Sequence, residues 1–171
     1  MKEREFWELI NQSVTKKKNE YDWLTNREKN QYEWLTNQLA EKKVIEIIAF
    51  HDICTKIRTE LVNNMEIFNL LKTRVDACSS DSYYYFCEWL ISMGEGVVTS
   101  VVEDRKYLIQ LLPEKAAFPP LNSNFTHVAS DAYEKKRQNV LDDVDTSEDE
   151  NKFVLLMMDD FYQAINKVKQ A

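Results

Sequence analysis

Apolar residues recur along most of the chain at intervals of three and four, the spacing of one face of an α-helix. The stretch 83–91 shows the pattern most clearly, with apolar residues at positions i, i+3, i+4, i+7 and i+8: Tyr83, Phe86, Cys87, Leu90 and Ile91. Comparable spacing predicts further helices, whose approximate ranges are 2–14, 19–38, 41–63, 65–76, 97–112 with an interruption near Asp104, 122–140 and 152–169.

Residues that interrupt helices are scarce, with two glycines and three prolines in 171 residues. A β or mixed fold would need many more turn residues. We therefore predict an all-α fold, a single compact domain of about seven or eight helices that is long enough to bury a core. Its expected parts are a helical domain over 1–141, an acidic linker over 142–151, and a C-terminal amphipathic helix over 152–171 that packs on the same domain.

A near repeat occupies residues 21–37, where Y-D-W-L-T-N returns eleven residues later as Y-E-W-L-T-N. Eleven residues make about three helical turns, so both copies present the same faces. The tyrosines and leucines would pack on the core, whereas Trp23 and Trp34 lie on nearly the opposite side. Two interpretations stay open. The tryptophans either anchor a partner, or they are covered by another helix or a second subunit.

The net charge of −7 lies entirely in residues 78–171, because basic and acidic side chains balance in residues 1–77. An acidic chain of this kind is a poor nucleic-acid binder, which needs basic residues to displace counterions. The acidic segment would instead attract a basic protein partner, or simply form a solvated loop. The candidate partner-binding residues are Trp23, Trp34, Asp142, Asp143, Asp145, Glu148, Asp149 and Glu150.

The expected location is the cytoplasm. No apolar run approaches the ~20 residues that span a bilayer, and the start "MKEREFWELI" lacks the apolar core of a signal peptide. The three cysteines are an odd number without a C-x-x-C pair, which is typical of buried free thiols in a reducing compartment. We expect no contact with a membrane.

Motifs for catalysis are missing from the sequence. It contains no phosphate-binding glycine loop and no G-x-S-x-G elbow. His51 and His127 are too few for a histidine metal site, and a thiol such as Cys87 on the apolar stripe is usually inert. We therefore expect no catalytic residue, no metal and no cofactor.

The polar residues between positions 81 and 88 are better candidates for a binding site. Asp81 or Ser80 is expected to cap the helix that follows, while Tyr84, Tyr85 and Glu88 point away from its apolar stripe. The four residues Asp81, Tyr84, Tyr85 and Glu88 are the candidates for a ligand pocket.

Three stretches resemble a bacterial family, domain of unknown function 4240: "FWELI" at 6–10, "CSSDSYYYFCEWLISMG" at 78–94 and "VASDAYEKK" at 128–136. The central stretch carries the more specific match, to a motif that reads roughly G-C-S-D-D-x-F-x-Y-F-R-x-W-L-I. This chain departs from it at Ser80, in place of the first acidic residue, and at Cys87, in place of arginine. The resemblance implies a helical, cytoplasmic bacterial protein with no established reaction.

These observations favour a non-enzymatic protein-interaction protein. The most specific version is an immunity-type protein that binds and masks a basic toxin or effector. Two alternatives remain, a small enzyme or ligand-binding protein with a polar pocket near Asp81, and a homodimeric structural scaffold with the tryptophans between subunits.

Overall fold

The computed structural model describes residues 1–15, 26–112, 116–143 and 161–170. The regular structure within these ranges is helical. The helices are α1 (Glu3–Val14), α2 (Asn26–Ala40), α3 (Val44–Val62), α4 (Met65–Lys72), α5 (Ser80–Ser92), α6 (Glu95–Glu103), α7 (Tyr107–Leu111), α8 (Val128–Asp143) and α9 (Phe161–Gln170), with a 3-10 turn at Phe125–His127 before α8.

The predicted all-α fold class is confirmed. Across the described ranges, β pairing is limited to an isolated bridge between Val75 and Ala116. None of the helices in those ranges is long and apolar enough to cross a membrane. The predicted interruption near Asp104 is also present, because α6 ends at Glu103 and Asp104 has extended backbone angles.

Helices α3 and α5 form the centre of the domain. Helix α3 packs against α1, α2, α4, α5 and α8, and α5 packs against α1, α3, α6 and the 3-10 turn. The apolar stripe predicted for α5 is buried along its whole length. Elsewhere in the same core, the ring of Phe6 in α1 lies 4.8 Å from that of Phe50 in α3, centroid to centroid.

Two predicted helix starts were misplaced. The cap of α5 is Ser79, rather than Asp81 or Ser80: its Oγ accepts a hydrogen bond from the backbone N–H of Ser82 at 3.1 Å. The Ser82 Oγ returns the contact by accepting from the Ser79 N–H at 2.8 Å, so two backbone donors are satisfied reciprocally. Helix α8 begins at Val128, because the 3-10 turn occupies the residues before it.

Helix α2 contains the second copy of the repeat, and its leucines lie in the core as predicted. Leu35 and Leu39 are fully buried. Gln31 is also buried, and its Nε2 donates to the Ser13 Oγ at 2.8 Å and to the Ser92 carbonyl at 2.7 Å. This amide joins α1, α2 and α5 at one point, so its position fixes how the three helices meet.

Helix α9 packs on α3 and α8 through its apolar face. Phe161 lies 5.6 Å from the ring of Tyr133 and 5.4 Å from the imidazole of His51, measured between ring centroids. An exposed ion pair joins Lys169 Nζ to Asp52 Oδ1 at 3.0 Å. The aromatic packing, more than this solvated ion pair, holds α9 in place.

Gly94, between α5 and α6, occupies a position where a residue with a side chain would be unfavourable for two reasons. Its φ is +104°, and a Cβ at this position would lie 2.7 Å from Asn11 Oδ1. We expect Gly94→Ala to lower the free energy of unfolding by about 1–3 kcal/mol, measured by urea denaturation. Gly96→Ala is the matched control. A Cβ there meets nothing within 4 Å, so the same change inside α6 should be neutral or stabilise by about 0.5–1 kcal/mol. Equal effects at both sites would contradict the explanation.

His51 should make stability depend on pH below neutrality. Burial against α9 lowers the pKa of His51 from its usual 6.5, and Asp52 opposes this only in part. The stability contributed by the neutral imidazole is therefore complete above pH 6.5 and is lost as pH falls from 6.5 towards the lowered pKa. We expect urea midpoints to decline over this window in the wild type and to decline less in His51→Gln. The variant His127→Gln, at an exposed histidine, should retain the wild-type decline.

Candidate functional site

A cleft of about 540 Å³ lies where the end of α3, the start of α5 and the 3-10 turn meet. It is lined by Val62, Ser80, Asp81, Tyr84, Tyr85, Thr126 and His127. The lining therefore includes three of the four residues that the sequence predicts for a ligand pocket. The fourth, Glu88, lies behind the lining.

Asp81 reaches the cleft because of how α5 begins. Since Ser79 is the cap, Asp81 stands in the first turn of the helix, where a carboxylate interacts favourably with the positive end of the helix dipole. The residue is exposed. Its carboxylate is therefore available to a ligand rather than consumed in capping.

The two tyrosines form a corner of the cleft. The rings of Tyr84 and Tyr85 stand at 88° to each other, with centroids 5.5 Å apart, which is an edge-to-face contact. Partial burial raises the pKa of Tyr84. Its hydroxyl stays protonated near neutral pH and is suited to donating a hydrogen bond rather than to acting as a base.

Glu88 forms a buried ion pair behind the cleft. The sequence predicts that Glu88 points towards a polar pocket, but its side chain has no exposed surface. Arg58 Nη1 donates to Glu88 Oε1 at 2.6 Å, and the Thr126 hydroxyl donates to the other carboxylate oxygen. Both oxygens are thus paired, as burial of a charged group requires.

Arg58 connects this ion pair to the lining. Its guanidinium carbon lies 4.7 Å from the centroid of the Tyr84 ring, within range of a cation–π interaction. Its Nη2 also donates to Thr55 Oγ1 at 3.2 Å. Arg58 therefore supports Tyr84 from behind, and Thr126 belongs both to the lining and to the ion-pair network.

Sequence reasoning missed Arg58 and Thr126. Arg58 precedes Glu88 by 30 residues and Thr126 follows it by 38, so no local spacing connects them. The sequence held no local signal for Arg58, because its helix also carries other charged residues: Glu46, Asp52, Lys56 and Glu60.

The remaining predicted site residues are the candidates for partner binding, and the structure describes the side chain of one of them, Trp34. Trp34 is partly buried and packs against the apolar core. Asp142 and Asp143 are the last residues of α8, and their side chains lie outside the described part, as do Trp23, Asp145, Glu148, Asp149 and Glu150. The partner-binding role assigned to these residues stays a prediction.

The thiols of α3 and α5 are unsuited to nucleophilic attack. Burial raises the pKa of both Cys54 and Cys87 to about 12, so each stays a thiol at neutral pH. All three cysteines are free. Within the described residues, no three histidine, cysteine or carboxylate side chains are grouped so as to hold a metal ion.

Removing one member of the buried ion pair should destabilise the protein strongly. Glu88→Gln leaves the Arg58 charge buried without its counter-charge, and we expect a loss of about 3 kcal/mol in urea denaturation. The double variant Arg58→Met/Glu88→Leu removes both charges and should recover most of that loss. As a matched control, Glu8→Gln breaks the exposed pair between Arg4 and Glu8 and should leave stability nearly unchanged. Additive losses in the double variant would contradict the coupling of Arg58 and Glu88.

Comparison with known proteins identifies a family. A family model described as protein of unknown function (DUF4240) matches residues 1–135. No curated protein and no solved structure matches the chain. The matched range contains every residue of the cleft and of the ion pair behind it, whereas α9 lies outside. The chain therefore belongs to the DUF4240 family, as its motifs at 6–10, 78–94 and 128–136 predict.

Proposed function

We propose that the chain is a non-enzymatic binding protein whose contact surface is the cleft between α3, α5 and the 3-10 turn. The observation that carries the proposal is the juxtaposition of Asp81, Tyr84 and Tyr85 around one cavity, supported from behind by a buried ion pair. The cavity is within the ~300–1,000 Å³ usual for ligand sites. Aromatic rings beside one carboxylate supply contact area and orientation.

A binding role accounts for this chemistry better than a catalytic role does. A general base near neutral pH needs a pKa near the working pH, whereas the pKa of Tyr84 is raised above its usual value of 10.0. The thiols of Cys54 and Cys87 are protonated for the same physical reason. These groups remain in one protonation state, as suits recognition.

The proposed partner is a basic protein of the same cell. In the narrower form of the proposal, the partner is a toxin or effector, and this chain is the immunity-type protein that masks it. The net charge of −7 supports this choice, because opposite charge speeds association. In this proposal the acidic residues 142–150 steer the partner, and the cleft gives the close contact. The protein acts in the cytoplasm of a bacterium, where reducing conditions suit its free cysteines.

Two variants with matched chemistry test the cleft. Asp81→Asn/Tyr85→Ala removes one charge and one ring from the cleft, and Glu103→Gln/Tyr162→Ala removes the same groups from exposed positions on α6 and α9. A partner captured from lysate of the native host would be identified, produced pure and titrated by calorimetry. We expect the cleft variant to bind at least about tenfold more weakly and the control to match the wild type.

Equal affinities of the cleft variant and the wild type would contradict the proposal. Both variants must first be shown to fold, by circular dichroism and urea denaturation. Light scattering on the wild type tests the homodimer alternative in parallel. A stable dimer that dissociates in Trp34→Ala, with no other partner captured, would favour the scaffold role.

A further inference from the structure

The chemistry of the cleft lining identifies the class of group it receives. The geometry points to a cation as the occupant: a guanidinium or alkylammonium group, such as the end of an arginine or lysine side chain or a small free amine. This inference rests on the proposed function, since it takes the cleft as the binding surface. It goes further by stating what binds there.

The charge balance around the cleft favours a positive ligand. The charged side chains described at the cleft are Asp81 in the lining, with Arg58 and Glu88 behind it. Arg58 and Glu88 neutralise each other at 2.6 Å, so the field inside the cleft is dominated by the Asp81 carboxylate. A cation entering the cleft gains an opposite charge, whereas an anion meets a like charge.

The aromatic corner favours a cation as well. The faces of aromatic rings carry negative potential and attract guanidinium and ammonium groups. The molecule already uses one of these rings in this way, because the Arg58 guanidinium stacks over Tyr84 at 4.7 Å. The ring of Tyr85, perpendicular to that of Tyr84, adds a second wall. Two perpendicular rings and a carboxylate therefore line the same cleft.

An anion at the start of α5 is the strongest competing interpretation, because helix N-termini present free N–H groups. Here the exchange between Ser79 and Ser82 satisfies two of these donors. The Asp81 carboxylate also stands in the same first turn, where it repels an incoming anion. The start of this helix is therefore already neutralised by the protein itself.

The dimensions of the cleft fit a cationic group together with its carbon stem. A cavity of about 540 Å³ exceeds what a bare guanidinium fills. Val62 supplies an apolar contact for methylene groups, and the small polar residue Ser80 also lines the cleft. Long cationic side chains bury their stems along apolar surface in the same manner.

The test is an NMR titration of the full chain with a matched pair of small probes. Ethylguanidinium carries the charge, and ethylurea has nearly the same shape without it, with acetate as the anionic probe. We expect saturable amide shifts at residues 79–86 and 125–128 with ethylguanidinium only, which decrease as salt rises.

Variants of Asp81 then test whether its carboxylate is the group that attracts the cation. Asp81→Asn should weaken ethylguanidinium binding about threefold or more, and Asp81→Lys should abolish it. Glu103→Lys, the same reversal on an exposed glutamate of α6, should leave it intact. Shifts of equal size with ethylurea, preferential binding of acetate, or unchanged binding by Asp81→Lys would each overturn the inference.

A capped Ala-Arg-Ala peptide distinguishes the two sources of the cation. Tighter binding of the peptide than of ethylguanidinium assigns the site to a protein side chain, and weaker binding assigns it to a small free cation. The outcome is separable from that of the proposed function. If the cationic probes fail while partner binding still depends on Asp81 and Tyr85, the cation inference is wrong and the binding role stands.

Discussion

The carboxylate of Glu88 has no exposed surface, although it belongs to a helix at the centre of the domain. An isolated buried carboxylate would be strongly destabilising. Its position is tolerated because Arg58 from α3 and Thr126 from the 3-10 turn pair with its two oxygens. Three segments that are distant in sequence must therefore meet at this point. The same contact sets where the cleft forms, since Thr126 lines it and Arg58 supports Tyr84.

A second buried polar group works in the same way one helical turn further along α5. Gln31 joins α1 and α2 to the last turn of α5 through Ser13 and the Ser92 carbonyl. Apolar packing tolerates small shifts of one helix along another, whereas a hydrogen-bonded amide in a buried place does not. Together the two networks fix the C-terminal half of α5, at Glu88 and Ser92. The residues that α5 contributes to the cleft are consequently presented on a rigid element, as a selective binding site requires.

The family match and the cleft coincide, whereas the acidic segment and α9 lie beyond it. Residues 1–135 contain the ion pair, the aromatic corner and Asp81. The proposal for the cleft therefore concerns the part of the chain that defines the family. The steering role proposed for residues 142–150 concerns a part outside that match. Ser80 and Cys87, the two departures from the central motif, differ in setting: Ser80 is exposed in the cleft lining, and Cys87 is fully buried in the core.

The periodicity of apolar residues was sufficient to predict the all-α fold and most helix ranges, because helical spacing is a local property. The stripe of α5 and the leucines of α2 are examples, because their apolar residues recur at three- and four-residue spacing and are buried. Helix ends were less predictable. Ser79 and Asp81 are both good caps, and only the backbone geometry distinguishes them.

The sequence by itself also determined that Asp81, Tyr84 and Tyr85 lie near one another, since they are within five residues of one helix. Only the tertiary structure decided that they form the wall of a cavity rather than an open helix surface. That outcome depends on Val62 and Thr126, which α3 and the 3-10 turn bring to the same place. The tertiary structure also decided that Glu88 forms a buried ion pair instead of facing a ligand. The physical reason is that ion pairing acts through space, so the partner of a buried charge is set by how the helices pack.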